Sequence, residues 1–166
     1  MQRHEVSFTV DAPPHRVWRL FHPKTLPGVV VPRTFAHPGG AITILRDGDE
    51  DGAGLVRTCT FRVPRWLLSG GMARSWEVVT DARKNEYATY EAIGKPLWST
   101  ATGTHTLEPV KDGEATRLTF VETYHAHSPV LRALFEARVH RFISRDNTRA
   151  YDAVLGRLGA VTMSER

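Results

Sequence analysis

The chain has a single cysteine among its 166 residues, Cys59. No internal disulfide is available, so the fold should hold without an oxidising compartment. No apolar run approaches the roughly 20 residues that a spanning helix needs, and no leader-like segment opens the chain. The cytoplasm is therefore the expected location. Charge of one sign is also scarce: 22 Lys plus Arg against 18 Asp plus Glu leave a net charge of +4. Such an excess supports nucleic-acid binding only where it is clustered. The one cluster is Arg138, Arg141, Arg145 and Arg149, whose spacing makes a stripe on one side of a helix. It is interrupted by apolar residues and ends in Asp152, which reads as a solvated face and makes nucleic-acid or protein binding through the stripe the least favoured function, so no nucleic acid is expected as a partner. No internal repeat is visible.

Metal and phosphate motifs are absent on inspection. Asp47, Asp49, Asp51 and Gly52 open like a calcium loop, but the twelfth position is Thr58 rather than glutamate, and a strand follows. His125 and His127 lack a third ligand. Gly70-Gly71 lacks the strand-to-helix setting of a phosphate cradle. No metal or cofactor is called for.

What is present fits one domain, 1–160, with 161–166 as a flexible tail. Val6, Phe8 and Val10 alternate with Glu5, Ser7 and Thr9, the period of a half-buried strand. Asp11 before Ala12-Pro13-Pro14 predicts an N-cap and a short helix ending near His22-Pro23. The segment from Pro23 to Pro38 predicts a second short helix or an irregular turn. Six strands then follow with short links: Ala41 to Arg46, Gly54 to Val63, Met72 to Thr80, Glu86 to Ile93, Trp98 to Leu107 and Thr116 to His125. Links this short suit antiparallel neighbours, hence a meander. Ser128-Pro129 starts a helix of roughly 30 residues, about 45 Å long, with Phe135, Val139, Phe142, Ile143, Ala150, Ala153 and Val154 turned to the sheet.

This order resembles the helix-grip arrangement of the START-like / Bet v 1-like (SRPBCC) superfamily, in particular its polyketide cyclase/dehydrase branch. The phrases that carry the resemblance are Val10-Asp11-Ala12-Pro13-Pro14 with Val17-Trp18, Gly52-Ala53-Gly54 with Arg57, Glu77-Val78-Val79, and Leu107-Glu108-Pro109 with Asp112-Gly113 and Thr116. The resemblance implies an α+β fold: a curved antiparallel sheet of about seven strands around a long C-terminal helix, two short helices after the first strand, and an interior cavity. It also implies a hydrophobic small-molecule ligand, with or without chemistry. No residue set common to the superfamily's enzymes can be placed here.

Period two selects cavity-facing candidates. Glu122 travels with Leu118, Phe120 and Tyr124; His105 travels with Leu107, Gly103 and Ala101. An acid and a histidine on adjacent strands, within hydrogen-bond reach, could serve as a general base, because burial moves both toward neutrality. The competing reading is that they satisfy one another or an arginine. The set Leu55, Arg57, Cys59 and Phe61 is expected inward, with Asp146 or Glu122 as the carboxylate that a buried Arg57 requires. Trp76, Tyr90, Trp98 and Phe142 are expected to complete the wall, and Cys59 reads as a small packing residue rather than a nucleophile. Meander parity gathers Trp66, Leu67, Leu68 and Leu97 at one end. That end is expected to be the cavity mouth, with a lid hinged at Gly70-Gly71 that touches a membrane or donor protein during transfer; packing against the N-terminal helices is the alternative. Binding or carriage of an apolar ligand is the preferred function, because no catalytic set is recognisable. A cyclase, aromatase or dehydratase using Glu122, His105 or Arg57 is the alternative. The sequence carries no signal of oligomeric state.

Overall fold

The computed structural model describes residues 1–22, 32–37, 39–67, 69–94 and 97–165. Nine strands form one antiparallel sheet: β1 (Gln2–Val10), β2 (Arg33–His37), β3 (Gly40–Arg46), β4 (Val56–Arg62), β5 (Met72–Arg83), β6 (Tyr87–Gly94), β7 (Ser99–Val110), β8 (Ala115–Ala126) and β9 (Val161–Glu165). Their spatial order is β2-β3-β4-β5-β6-β7-β8-β1-β9. β3 to β8 are the meander that the short links predict, β2 extends it by one strand, and β1 returns to pair with β8. Val6, Phe8 and Val10 are fully buried, as their alternation requires. Each such side chain contributes about 1.5–3 kcal/mol.

Four expectations are corrected. The short helix α1 (Pro14–Phe21) is capped by Pro13 without a side-chain bond; Asp11 instead meets Lys111 at 2.7 Å. Arg33–His37 of the proline-studded segment is an edge strand, and the rest of the predicted second helix, 23–31, lies outside the described residues. The expected free tail forms β9, running Val6↔Glu165 to Val10↔Val161 against β1. Backbone groups on the open edge of β1 are satisfied better by a strand than by water alone. The long helix is in three parts: α2 (Pro129–Leu131), a π-helical turn (Arg132–Glu136) and α3 (Ala137–Leu155). Ser128 caps its start as predicted, accepting from Leu131 N at 3.3 Å. The buried Glu136 carboxylate in the π turn accepts from Ala126 N at 2.7 Å, which ties the turn to the end of β8.

Two apolar clusters flank the interior. One joins Val6, Phe8, Val10, Val17, Trp18, Leu118, Phe120 and Leu155; the other joins Val63, Ala73, Leu97, Ala126, Val139 and Ile143. No described helix is long and apolar enough to cross a membrane.

Candidate functional site

Where the clusters meet, the inner sheet face, the end of α1 and the C-terminal half of α3 enclose a cavity of about 280 Å³. Its walls are mostly apolar: Leu20, Phe21, Phe35, Ile42, Phe61, Ala92, Ala101, Ile143, Ala150 and Val154. Arg57, Ser75, Glu77, Tyr90, His105, Glu122, Tyr124 and Tyr151 supply its polar groups. Its exposed rim is Ala36 on β2 and Arg157 beyond α3.

Arg57 is brought in by β4 and faces Glu77 across the β4–β5 register. Its Nε donates to Glu77 Oε2 at 2.8 Å, and Nη1 donates to Phe21 O at 3.2 Å. Ser75 Oγ donates to Glu77 Oε1 at 2.8 Å. Burial opposes the guanidinium charge, but the Glu77 carboxylate outweighs burial and raises the Arg57 pKa. The partner expected for Arg57 was Asp146 or Glu122; it is Glu77. Asp146 is half-buried and its neighbour Asn147 takes the cavity position.

Glu122 and His105 both face inward, yet they do not bond to each other. The buried Tyr90 hydroxyl donates to Glu122 Oε1 at 2.9 Å, and His105 Nε2 meets the Tyr151 hydroxyl at 2.5 Å. The imidazole of His105 lies between Phe21 and Phe120, with ring centroids 5.2 and 4.9 Å away. Burial, reinforced by the Arg57 charge, lowers its pKa well below the usual value. It is therefore a neutral hydrogen-bonding ring. Glu122 behaves differently: burial raises its pKa to about 7, against the opposing effect of the Tyr90 bond. A carboxyl poised near neutrality can both give and take a proton. Among the described residues its Oε2 has no protein partner.

Cys59 and Phe61 also line the cavity, as does Tyr124. Burial pushes the Cys59 thiol up, which keeps it protonated. Three wall residues are misplaced by the sequence reading. Trp76 is 56% exposed, Trp98 59% and Phe142 39%. On β5 the inward set is Ala73, Ser75, Glu77 and Val79, because Arg57 and Cys59 stand opposite Glu77 and Ser75; Trp76 is thereby sent outward. Trp98 sits in a turn with φ 49. On α3 the buried side includes His140, Ser144 and Thr148, so the helix is rolled away from Phe142.

In place of a lid the structure shows packing, but against the C-terminal helical segment and the sheet end rather than the N-terminal helices. Leu97 is buried in the second cluster and Leu67 packs against it. Trp66 rests on Phe135, their centroids 5.4 Å apart, and Leu68 lies outside the described residues. The sequence reading missed Glu77, Tyr151 and His22. Tyr151 stands eight positions after Ile143 and four after Asn147, a helical spacing that could have found it. His22 stacks on Trp18 with centroids 4.1 Å apart, and neither ring nitrogen has a partner among the described residues. Burial first, then Arg57, lowers its pKa to about 3. Among the described residues no group of three metal-capable side chains occurs. Asp49 of the calcium-like loop instead accepts from Asp51 N and Ala53 N.

A family profile described as polyketide cyclase / dehydrase and lipid transport matches residues 1–162. No curated protein matches the sequence. Among solved structures, the ZhuI aromatase/cyclase from Streptomyces sp. R1128 is 18% identical with a TM-score of 0.61, over 95% of this chain and 93% of that one. Ara h 8.0201 is 16% identical with a TM-score of 0.61, over 95% and 97%. A conserved protein from Geobacillus kaustophilus is 14% identical with a TM-score of 0.60, over 96% and 99%. At these identities the likeness is one of fold, the helix-grip arrangement with its long C-terminal helix.

Proposed function

The chain belongs to the polyketide cyclase / dehydrase and lipid transport family, and we propose that it binds an apolar, oxygen-bearing small molecule of the polyketide or lipid kind in its interior cavity. The observation that carries this reading is the cavity of about 280 Å³, apolar in its walls, onto which Arg57 and Glu122 converge. Small-molecule sites combine such walls with a few placed polar groups. In this reading the apolar body of the ligand lies against Phe61, Ala92 and Ile143. A ligand carbonyl or hydroxyl meets the Arg57 guanidinium, and a second oxygen meets Glu122.

The cavity position of Glu122, together with its pKa of about 7, favours a second reading. There Glu122 moves a proton on an activated carbon of the ligand, as a cyclase or dehydratase requires, and His105 orients the substrate as a neutral ring. The binding reading comes first because it needs only the cavity.

The test is titration of the protein with a fluorescent apolar probe such as 1-anilinonaphthalene-8-sulfonate, with fatty acids and hydroxylated aromatic ketones as competitors. Ala92→Phe, which fills the wall, should abolish saturable binding while the chain stays folded. Saturable binding that survives Ala92→Phe would move the site elsewhere. Turnover of an enolisable competitor that is lost in Glu122→Gln would select the enzymatic reading.

A further inference from the structure

Most of the large apolar side chains that the fold leaves in solvent lie toward one end of the sheet, Phe142 on α3 and Met163 on β9 being exceptions. Trp76 and Ile93 are 56% and 55% exposed and stand directly opposite each other on β5 and β6. Met72 opens β5 and Trp98 closes the turn between β6 and β7, so both lie at the same end. His127 N donates to Trp98 O at 3.0 Å, which places the start of α2 there too. Trp66 is 49% exposed and reaches that same end through Phe135, whose neighbour Leu134 is exposed. Farther along the outer face the side chains change: Thr102, Thr104 and Thr106 run down β7, and Thr89 and Thr104 bond across strands at 3.1 Å. The apolar surface is therefore a rim around one end and not a general property of the outer face.

Charge divides the same way. Arg62 stands opposite Met72 across the β4–β5 register, Arg74 lies between Met72 and Trp76 on β5, Arg65 precedes Trp66, and all three are exposed. None of the three makes an ion pair among the described residues. The opposite end holds Asp47, Asp49, Glu50 and Asp51, with Asp112 and Glu114. The molecule thus has a basic, tryptophan-bearing end and an acidic one.

We propose that the basic end docks on the surface of an anionic lipid bilayer. Indole rings settle at the boundary between headgroups and acyl chains, and arginines beside them reach lipid phosphates. The acidic end is repelled by the same surface and sets the orientation. A membrane fits better than a protein partner because the indoles are dispersed over three separate elements, the 65–67 turn, β5 and the turn before β7, with arginines interspersed among them. Trp66, Met72, Trp76, Ile93 and Trp98 are absent from the cavity wall, so docking does not depend on the ligand reading.

The experiment is co-sedimentation of the full chain with vesicles of phosphatidylcholine alone and of phosphatidylcholine with phosphatidylserine, read together with tryptophan emission. The protein should sediment with the phosphatidylserine vesicles at low salt, its emission should shift to the blue, and salt should release it as screening shortens. Arg62→Gln/Arg74→Gln should weaken partition about twenty-five-fold, roughly fivefold per arginine, with an unchanged thermal midpoint because both side chains are exposed. Trp66→Ser/Trp98→Ser should weaken it as well and remove most of the blue shift. Failure to sediment with phosphatidylserine vesicles at low salt would overturn the proposal, as would partition that neither double variant alters. A stable dimer that the tryptophan variant dissociates would overturn it by assigning the rim to a second copy of the chain.

Discussion

The ring of Tyr90 lies across Gly103. A Cβ built on Gly103 would stand 2.3 Å from Tyr90 Cζ and 2.4 Å from its hydroxyl oxygen. Tyr90, Gly103 and Glu122 are successive register partners on β6, β7 and β8. A side chain is absent from the middle strand, and that gap lets a tyrosine on one strand bond a carboxyl two strands away.

Gly103→Ala should therefore displace Tyr90 and break its 2.9 Å bond to Glu122. Overpacking of this kind costs about 1–3 kcal/mol, to be read by denaturant unfolding. Because the Tyr90 bond holds the Glu122 pKa down, the carboxyl should titrate above its wild-type midpoint when followed by carbon NMR. Combining Gly103→Ala with Tyr90→Ala should cost less than the sum of the two single changes. Strict additivity would show that the two residues do not press on one another.

Glu122→Gln should change how stability depends on pH. The unfolded carboxyl titrates at the ordinary 4.5 and the folded one at about 7. Between these values the folded state holds the extra proton, so this group's contribution to stability falls as pH rises through the window and is constant above it. A shift of that size corresponds to about 3 kcal/mol. The variant should gain on the wild type from pH 5 to pH 8 by an amount of that order, measured as the difference between their unfolding free energies. The histidines are common to both proteins and cancel in the difference. A difference that stays flat with pH would place the Glu122 pKa near its ordinary value.

Arg57→Met should leave Glu77 buried without its cation, which costs about 3–5 kcal/mol. Replacing both, Arg57→Met with Glu77→Leu, should recover most of the stability because neither charge then has to be desolvated. Probe affinity should stay low in the double variant if Arg57 anchors the ligand. Recovery of affinity along with stability would assign the pair to structure.

Much of this was legible along the chain. Strict alternation fixed β1, short links fixed the meander, and Ser128-Pro129 fixed the start of the long helix, because each signal lies within a few residues of its effect. Period two also gave the inward faces of β4, β6, β7 and β8, and so brought Arg57, Cys59, Phe61, Tyr90, His105, Glu122 and Tyr124 to one cavity. β5 resisted the same argument because both of its faces carry apolar residues: Ala73 and Val79 on one, Trp76 and Val78 on the other. Burial appetite alone favours the tryptophan. The choice was made by Arg57 on the neighbouring strand, whose charge required Glu77 beside it inside. β9 was illegible for a related reason, since five residues become a strand only against the open edge of β1, far away in sequence. The sequence by itself determined the elements, their order and the alternation within most strands, because those follow from local periodicity and turn chemistry. Which face of β5 turned inward, that Glu122 met Tyr90 instead of His105, and which tryptophans stayed in solvent were decided only in the tertiary structure, because each depends on a partner that pairing across the sheet supplies.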